Sequence, residues 1–447
     1  MKKSAVFFLS AFLLLLTSGC DDGSDSRSDV WDTPTSDCFW QVGLSPGWVE
    51  SENHGWADLN NSYRAAVYVL PDEASCLTIE NRFPHARYIS FSSYYALGGT
   101  IDNLMDKDIL PDTGATNPFV AGNSRNDPAR NYTLTIKADN QANCPSSSNI
   151  VETTDTLAML MYRIYRPDAM SDALGDEGLP RVTLYMADGS FLQGQEACDA
   201  LNLPLTPSDK RVEWYTEQEY ADLRGAQDPA PNPPVFRANH NFEFHKQCDF
   251  GGDCTSVPEV ALKYPFPNPH YLYSFISRNH GEVLILRGKL PSTPKTFENP
   301  EGIVESRELR YWSLCNQEYY SQRSEACLFD EQIQVNEDSY YTIAVSLESD
   351  MPDNATADCG VSYLSWSTAG DGFGIEERRE NNVNDGFLLL RNLIPAPDFP
   401  HAAPSPDILD QEEETMGDYL TKGRYFTKAE FEGLGCNPWL ALPYDEM

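Results

Sequence analysis

The two halves of the chain repeat one series of sequence blocks, and this repeat constrains the fold more than any other feature. The first block, NNSYRAAVYVLPDEASCLTIENRFP at 60–84, aligns with NPHYLYSFISRNHGEVLILRGKLP at 268–291. Four further pairs follow in the same order: ARYISFSSYY with LRYWSLCNQEYY, NYTLTIKAD with YYTIAVSLESD, LMYRIYRPD with LLLRNLIPAPD, and YTEQEYADLRG with FTKAEFEGLG. Chance matches would scatter along the chain, so the conserved order predicts two tandem copies. We place them at 36–228 and 229–447, joined at the Pro-rich segment 228–235.

The local pattern within each copy is mostly that of β-strands. Short runs such as TLTI, VLILRG and YTIAVSL are rich in β-branched residues and are bounded by Gly, Pro, Asn or Asp. A capping-box pattern, Thr followed three residues later by Glu, begins a short helix at Thr216 and another at Thr427. We therefore predict a mainly β protein of two similar antiparallel β-sandwich or jelly-roll-like domains, each with a short capping helix.

The N-terminus has the layout of a bacterial export signal. Lys2 and Lys3 precede an apolar run that is too short to span a bilayer, and Thr17-Ser18-Gly19 leads directly to Cys20. This arrangement resembles the lipobox of bacterial lipoproteins, although Thr17 stands where that family prefers Leu. The resemblance implies a signal peptide over 1–19, lipidation of Cys20 and anchoring to a membrane by acyl chains such as palmitate. Ordinary cleavage would instead release a secreted protein.

The segment that follows the predicted anchor is rich in Ser, Asp and Gly and predicts a flexible tether over 20–35. Asp21 and Asp22 are similar to an inner-membrane retention signal, but the rule differs among bacteria. The sequence is therefore compatible with anchoring in the inner or the outer membrane. The expected location is the cell envelope, facing the periplasm or the exterior.

A second resemblance concerns the fold. Four segments are similar to parts of uncharacterised bacterial envelope proteins with paired β domains. They are Arg-Tyr-x-Ser at 87–90, Asn-Pro-Phe at 117–119, Arg-x-Tyr-x-Pro at 163–167 and LPRV at 179–182. This resemblance covers about a third of each copy. It implies a fold rather than an activity.

Charge and cysteine content exclude some classes of partner and indicate an oxidising compartment. The formal net charge of −36 argues against nucleic acid and against docking on anionic lipid, since both require clustered Lys and Arg. Ten cysteines besides Cys20 allow up to five disulfides. The short spacings predict the pairs Cys248–Cys254 and Cys315–Cys327.

No metal or cofactor motif stands out. His240 and His245 lie five residues apart, which suits neither one face of a strand nor one face of a helix, and no zinc, phosphate-loop or nucleophile-elbow motif occurs. Carboxylates crowd the segment IDNLMDKDILPDTG, where Asp106, Asp108 and Asp112 could hold Ca²⁺ with a flexible loop. A plain solvated turn explains the same acids, so no cofactor is expected apart from this Ca²⁺ alternative.

Four arginines recur in both copies within otherwise apolar strands. Arg163 matches Arg391, and Arg87 matches Arg310. Such a guanidinium must pair with a carboxylate or stack on a ring. It could cross-link strands or grip a ligand carboxylate with two hydrogen bonds. Recurrence favours the structural role, because a fold requirement is inherited twice.

Three tryptophans precede the first repeat block at intervals of eight residues: Trp40, Trp48 and Trp56. If exposed, they could stack on sugars; if buried, they anchor the chain to the first sheet, which the large burial energy of aromatic rings favours.

The functional prediction is a lipid-anchored binding or assembly module of the envelope, with a ligand site between the two β domains and an envelope protein, small molecule or glycan as partner. The alternative is a carbohydrate- or ester-directed hydrolase with carboxylates in an inter-domain cleft. A purely structural spacer is a third interpretation. A deep pocket with converging acids would favour the enzyme, and a shallow aromatic groove would favour the binding module.

Overall fold

A computed structural model describes most of the chain after residue 37. The described residues are 38–44, 53–71, 75–95, 98–138, 144–202, 214–238, 242–257, 269–299, 304, 307–374, 382–406 and 409–443. The predicted signal peptide, Cys20 and the predicted tether over 20–35 lie outside them, as do Trp48 and His240. Both sequence copies belong to one compact unit that begins at Thr35.

The first half contains two five-stranded sheets. Its strands are β1 Val42–Leu44, β2 Asn61–Tyr68, β3 Cys76–Arg82, β4 Ala86–Tyr95, β5 Thr100–Met105, β6 Asn131–Lys137, β7 Ile150–Glu152, β8 Ala158–Pro167, β9 Arg181–Tyr185 and β10 Phe191–Gln193. One sheet has the order β1-β2-β8-β4-β5 and the other β10-β9-β3-β6-β7. Helix α1, Gly194–Leu201, follows β10.

The second half contains a five-stranded and a four-stranded sheet. Its strands are β11 Arg237–Ala238, β12 Pro269–Ser277, β13 Val283–Lys289, β14 Leu309–Gln317, β15 Ser324–Phe329, β16 Tyr340–Ser346, β17 Ser362–Ser365, β18 Asp385–Pro395 and β19 Lys422–Phe426. The sheet orders are β11-β12-β18-β14-β15 and β17-β16-β13-β19.

The strand orders of the two halves correspond when ten is added to each strand number of the first half; among the described strands, β10 alone has no counterpart. The registers correspond as well. Arg163 pairs with Tyr63 and Ser90 across its two neighbouring strands, and Arg391 pairs with Tyr271 and Ser313. The sequence repeat therefore corresponds to a repeat of topology and register. The domain boundaries at 228 and 229 stay a prediction.

Each half is a β-sandwich because every second side chain of its central strands points into an apolar core between two sheets. In β4, Ile89 and Phe91 enter the core between the first two sheets, where they meet Leu77 and Leu134 of the opposite sheet. Trp312, Leu314 and Leu390 occupy the equivalent core of the second half. All pairings are antiparallel except β6–β7 and β16–β17. The prediction of a mainly β fold with sandwich domains is confirmed.

The two sandwiches pack through the outer faces of their five-stranded sheets. Tyr88 and Tyr165 from the first half meet Tyr311, Phe329 and Leu393 from the second, and we call this group the interface cluster. The ring of Tyr165 contacts that of Tyr311 edge to face, with centroids 5.4 Å apart. The molecule thus consists of four stacked sheets, and the inter-domain layer is as buried as the two cores.

Both predicted capping boxes are formed. Thr216 precedes α2, Glu217–Ala226, and Thr427 precedes the last helix, Lys428–Glu432, which we number α5. The two helices pack in different places. Helix α5 lies on the outer face of the four-stranded sheet through Phe431. Helix α2 belongs to the first copy in sequence, yet its Tyr220 packs on the second half.

Two other helices complete the fold: α3 is Phe242–Cys248 and α4 is Glu412–Met416. The structure has five disulfides, namely Cys38–Cys198, Cys76–Cys144, Cys248–Cys254, Cys315–Cys327 and Cys359–Cys436. They include the two pairs expected from sequence. Among the described residues, no helix has the length and apolarity needed to cross a membrane.

Candidate functional site

Arg87 reaches from the first half into the second. Its Nη1 lies 2.8 and 2.6 Å from the two carboxylate oxygens of Asp330, and its Nε donates to the hydroxyl of Thr296 at 3.0 Å. Its Nη2 donates to Glu331. The side chains of Arg87 and Asp330 are both fully buried. Burial of such charges is tolerated only when they are paired and hydrogen-bonded, as they are here.

Arg310 makes the reciprocal contact from the second half to the first. Its Nη1 lies 3.0 Å from Oδ2 of Asp106 and 3.3 Å from the carbonyl oxygen of Arg87. Asp106 follows the last residue of β5, and Asp330 follows the last residue of β15. The two ion pairs therefore join equivalent positions across the interface. Burial raises the pKa of Asp106 to about 6, and Arg310 opposes this shift.

Arg163 and Arg391 occupy equivalent positions in β8 and β18. Arg163 donates to the hydroxyls of Ser92 at 2.7 Å and Tyr94 at 2.6 Å. Arg391 donates to Sγ of Cys315 at 3.1 Å and to the carbonyl oxygen of Trp56 at 2.5 Å. Cys315 stands where the first half has Ser92, so the two arginines bind equivalent positions on the neighbouring strand.

Asp58 brings a fourth carboxylate into the interface, after Asp330, Glu331 and Asp106. It is fully buried and accepts hydrogen bonds from the hydroxyls of Tyr311 at 2.9 Å and Ser313 at 2.7 Å. Nη1 of Arg391 lies 3.9 Å away. A ligand carboxylate would have to displace these protein partners to reach the predicted arginines. The geometry thus favours the structural role for all four. Arg87, Arg310 and Arg391 join the two halves, whereas Arg163 joins neighbouring strands of the first half.

The carboxylates of the predicted Ca²⁺ loop do not converge. Asp106 points to Arg310, Asp108 is exposed, and Asp112 accepts a hydrogen bond from the hydroxyl of Thr133 at 3.2 Å. Within the described residues, the single group of three candidate metal ligands is Asp58 with Cys315 and Cys327. The two sulfurs form a disulfide and offer no thiolates, so this group lacks the chemistry of a thiolate metal site.

Sequence reasoning missed an aromatic cluster on the second half. Its members surround Tyr319 and come from distant parts of the chain, including Trp56, Trp214, Tyr220, Phe242, Phe275 and Phe387. The ring of Phe242 stacks on Trp214, 3.5 Å away between centroids, and also contacts Trp56, 5.1 Å away. Trp40 is buried in the core of the first half, as expected, whereas Trp56 is partly buried against the second half and not against the first sheet.

A buried hydrogen-bond chain runs through this cluster. Tyr215 donates its hydroxyl proton to the carbonyl oxygen of Phe242 at 3.0 Å, so its oxygen accepts from Tyr319 at 3.1 Å. Nδ1 of His245, 3.0 Å from the Tyr319 oxygen, must then be a donor. His245 is 1% exposed, which separates it from any substrate in solvent. We interpret this chain as a structural network.

An open cavity of about 540 Å³ lies at one end of the four-stranded sheet of the second half. It is lined by the last residue of β13, Lys289, by the first residue of β16, Tyr340, and by Glu337, Asp338 and Ser339 of the preceding turn. It is a shallow depression of the surface that is open to solvent. No sequence motif marks these residues, because they come together on the surface and do not follow a spacing that is typical of a binding site.

The aromatic ring of Tyr419 stands beside the cavity. The ammonium of Lys289 lies 5.3 Å from the centroid of this ring, and His401 stacks on the ring with centroids 5.3 Å apart. The phenol of Tyr419 donates to Glu308 at 3.1 Å, and burial and this carboxylate together raise the pKa of Tyr419 to about 12. The group is therefore a neutral phenol held in one orientation.

Comparisons with known proteins do not identify a family. No protein-family model matches the chain, and no curated protein matches its sequence. Among solved structures, an uncharacterised protein from Burkholderia cenocepacia is similar over 88% of this chain and 84% of its own, with 16% identity and a TM-score of 0.47. A protein from Vibrio parahaemolyticus is similar over 83% of this chain and 90% of its own, with 10% identity and a TM-score of 0.38. Both TM-scores are below 0.5, so neither likeness carries a functional argument.

Proposed function

We propose that this protein is a lipid-anchored binding module of the bacterial cell envelope, whose two β-sandwiches act as one rigid block. The lipobox-like sequence ending at Cys20 supports the anchor. Five disulfides support a location outside the reducing cytosol. The binding surface lies on the outside of the second half, at the cavity of Lys289 and Tyr340, and not between the domains.

The observation that carries this proposal is that the carboxylates of the inter-domain layer are bonded to other residues of the protein. Asp330 and Asp106 are each engaged by an arginine of the opposite half, and Asp58 by two hydroxyls. These acids serve the interface, so no observation favours the alternative of a hydrolase with carboxylates in an inter-domain cleft. A rigid block with a shallow, partly aromatic cavity on its surface is suited to binding without chemistry.

Labelling with an alkyne analogue of palmitate tests the anchor. In bacterial cells that express the full chain, we expect label on the wild-type protein and recovery in the membrane fraction. Cys20→Ser should lose both, while the neighbouring variant Asp22→Asn should keep the label. Label that persists on Cys20→Ser, or an unlabelled soluble wild type, would contradict the anchor.

Co-sedimentation tests the binding function. The full-length protein, purified in detergent, is mixed with separated envelope fractions: inner membrane, outer membrane and cell-wall glycan. We expect saturable sedimentation with at least one fraction, weakened by Tyr340→Ala and unchanged by Phe191→Ala, which removes a ring that is 60% exposed on the first half. Equal sedimentation of wild type and Tyr340→Ala, or none at all, would refute binding at this surface.

A further inference from the structure

Lys289 and Tyr340 are directly opposed across the pair β13–β16, at its last position. The turn before Tyr340 is held in place by Asn336, whose side-chain oxygen accepts from the backbone N–H of Asp338 at 3.1 Å and of Tyr340 at 2.8 Å. The phenol of Tyr340 donates to Asp418 at 2.6 Å. The polar groups at the cavity are thus preorganised on regular strands, which lowers the entropic cost of binding.

The first half provides an internal comparison for this position. Arg82 and Asn131 form the equivalent opposed pair at the end of β3–β6. There the cation is satisfied, since Nε of Arg82 lies 2.6 Å from a carboxylate oxygen of Glu177. No described carboxylate lies within ion-pair distance of Lys289, whose described neighbour is the ring of Tyr419. Within the described part of the chain, the second copy therefore has a cation without a carboxylate partner where the first copy has an internal ion pair.

The longer connection between β18 and β19 supplies the aromatic side of the cavity. It runs over 396–421, whereas the connection between β8 and β9 runs over 168–180. His401 donates from Nδ1 to the carbonyl oxygen of Thr415 at 3.0 Å and stacks on Tyr419. Trp439 is 48% exposed. Its backbone carbonyl oxygen accepts a hydrogen bond from Arg287, which lies two residues before Lys289 in β13. The rings of Tyr419 and His401 thus lie at the same end of the sheet as Lys289, for which the described residues supply no carboxylate partner.

The charges around the cavity exclude two classes of ligand. Glu337 and Asp338 are exposed in its lining, and Asp418 and Glu308 hold the two tyrosines. These acids, in a chain of net charge −36, repel anions. A free metal ion is disfavoured by the Lys289 ammonium and by carboxylates that do not converge on one point. The same ammonium repels organic cations at short range, so a neutral ligand fits these charges best.

We propose that this cavity binds a neutral saccharide, an inference that rests on the proposed binding function. Sugar hydroxyls both donate and accept, so one ring can satisfy the donor-only Lys289 and the acceptor-only Glu337 and Asp338 together. An apolar face of the sugar packs on the partly exposed ring of Tyr340. The ring of Tyr419, on which His401 stacks, positions the Lys289 ammonium. The combination of donor, acceptors and rings therefore indicates a saccharide as the class of ligand.

Calorimetric titration of the full-length protein tests the proposal, in a detergent whose headgroup contains no sugar. The probes are cellotetraose, maltotetraose, chitotetraose and, as the anionic comparison, tetragalacturonate. We expect at least one neutral probe to bind at one site and tetragalacturonate to bind more weakly. Lys289→Met and Tyr340→Ala should each raise Kd by about tenfold, and Phe191→Ala should leave Kd unchanged. Tyr419→Phe, which keeps the ring, should bind more tightly than Tyr419→Ala.

Three results would overturn the proposal: no neutral probe saturates the protein at millimolar concentration, tetragalacturonate binds more tightly, or Lys289→Met and Tyr340→Ala both bind like wild type. If the saccharides fail while sedimentation with an envelope fraction still depends on Tyr340, the ligand class is wrong and the binding function stands. If sedimentation fails as well, the binding function itself is refuted. Unchanged thermal unfolding of each variant shows that the surface, and not the fold, was altered.

Discussion

Replacing Arg87 by Met should destabilise the whole two-domain block. The substitution leaves Asp330, which is fully buried, with the backbone N–H of Trp312 at 3.0 Å as its remaining described donor. Removing one partner of a buried ion pair costs about 3 to 5 kcal/mol in the free energy of unfolding. Arg310→Met should cost about 1 to 3 kcal/mol, because Arg310 makes a single contact to Asp106 and is 12% exposed.

Chemical denaturation with guanidinium chloride, followed by tryptophan fluorescence, measures these differences, and a double-mutant cycle separates the pair from its surroundings. Arg87→Met with Asp330→Leu should be more stable than the sum of the two single losses implies, with a coupling energy of about 2 kcal/mol or more. A loss under about 1 kcal/mol for Arg87→Met, or additive single losses, would refute the idea that this contact locks the halves together.

Three further predictions concern other parts of the fold. Burial raises the pKa of Asp249 to about 7, so the folded protein binds this proton more tightly than the unfolded chain. Between about pH 4 and about pH 7 the free energy of unfolding should therefore fall as this group ionises, and urea unfolding of Asp249→Asn should show a smaller fall. Cys315→Ser with Cys327→Asn copies the pair at the equivalent position of the first half; it should lower the free energy of unfolding by about 3 kcal/mol without changing the far-UV circular dichroism spectrum. Thr216→Ala and Thr427→Ala should each cost about 1 kcal/mol in thermal unfolding, and a loss near zero at either site would show that its capping box does not stabilise the fold.

Features that depend on short segments could be predicted from the sequence. The capping boxes at Thr216 and Thr427 formed because each needs only four consecutive residues. The disulfide Cys315–Cys327 joins opposed residues of neighbouring strands, so its closeness in sequence matched its closeness in space. The repeat of blocks predicted two similar halves, because each block covers one or two strands or a helix and the order of blocks along the chain survives loop insertions.

Features that depend on the packing of distant segments could not be predicted. Helix α2 is held on the second half by two contacts: Tyr220 donates to Asp371 at 2.8 Å, and Arg224 pairs with Asp385. In each contact the two residues are more than 150 positions apart in sequence. The cavity joins Lys289 to Tyr419, again far apart in sequence. Three of the disulfides link cysteines 68 to 160 residues apart, and their connectivity has no local signature.

The duplicated fold separates structural residues from candidate functional ones by comparing equivalent positions. Arg87 and Arg310 do the same thing in both copies, since each crosses the interface to the acid that follows the fifth strand of the other half. Such residues are constrained by the contact between the halves and cannot change singly without leaving a buried charge unpaired. Arg82 pairs with Glu177, whereas its equivalent, Lys289, has no carboxylate partner among the residues that the structure describes. A position that the fold satisfies in one copy and leaves open in the other is free to bind a ligand, which is why the outer end of the second sandwich, and not the interface, is where binding should be sought.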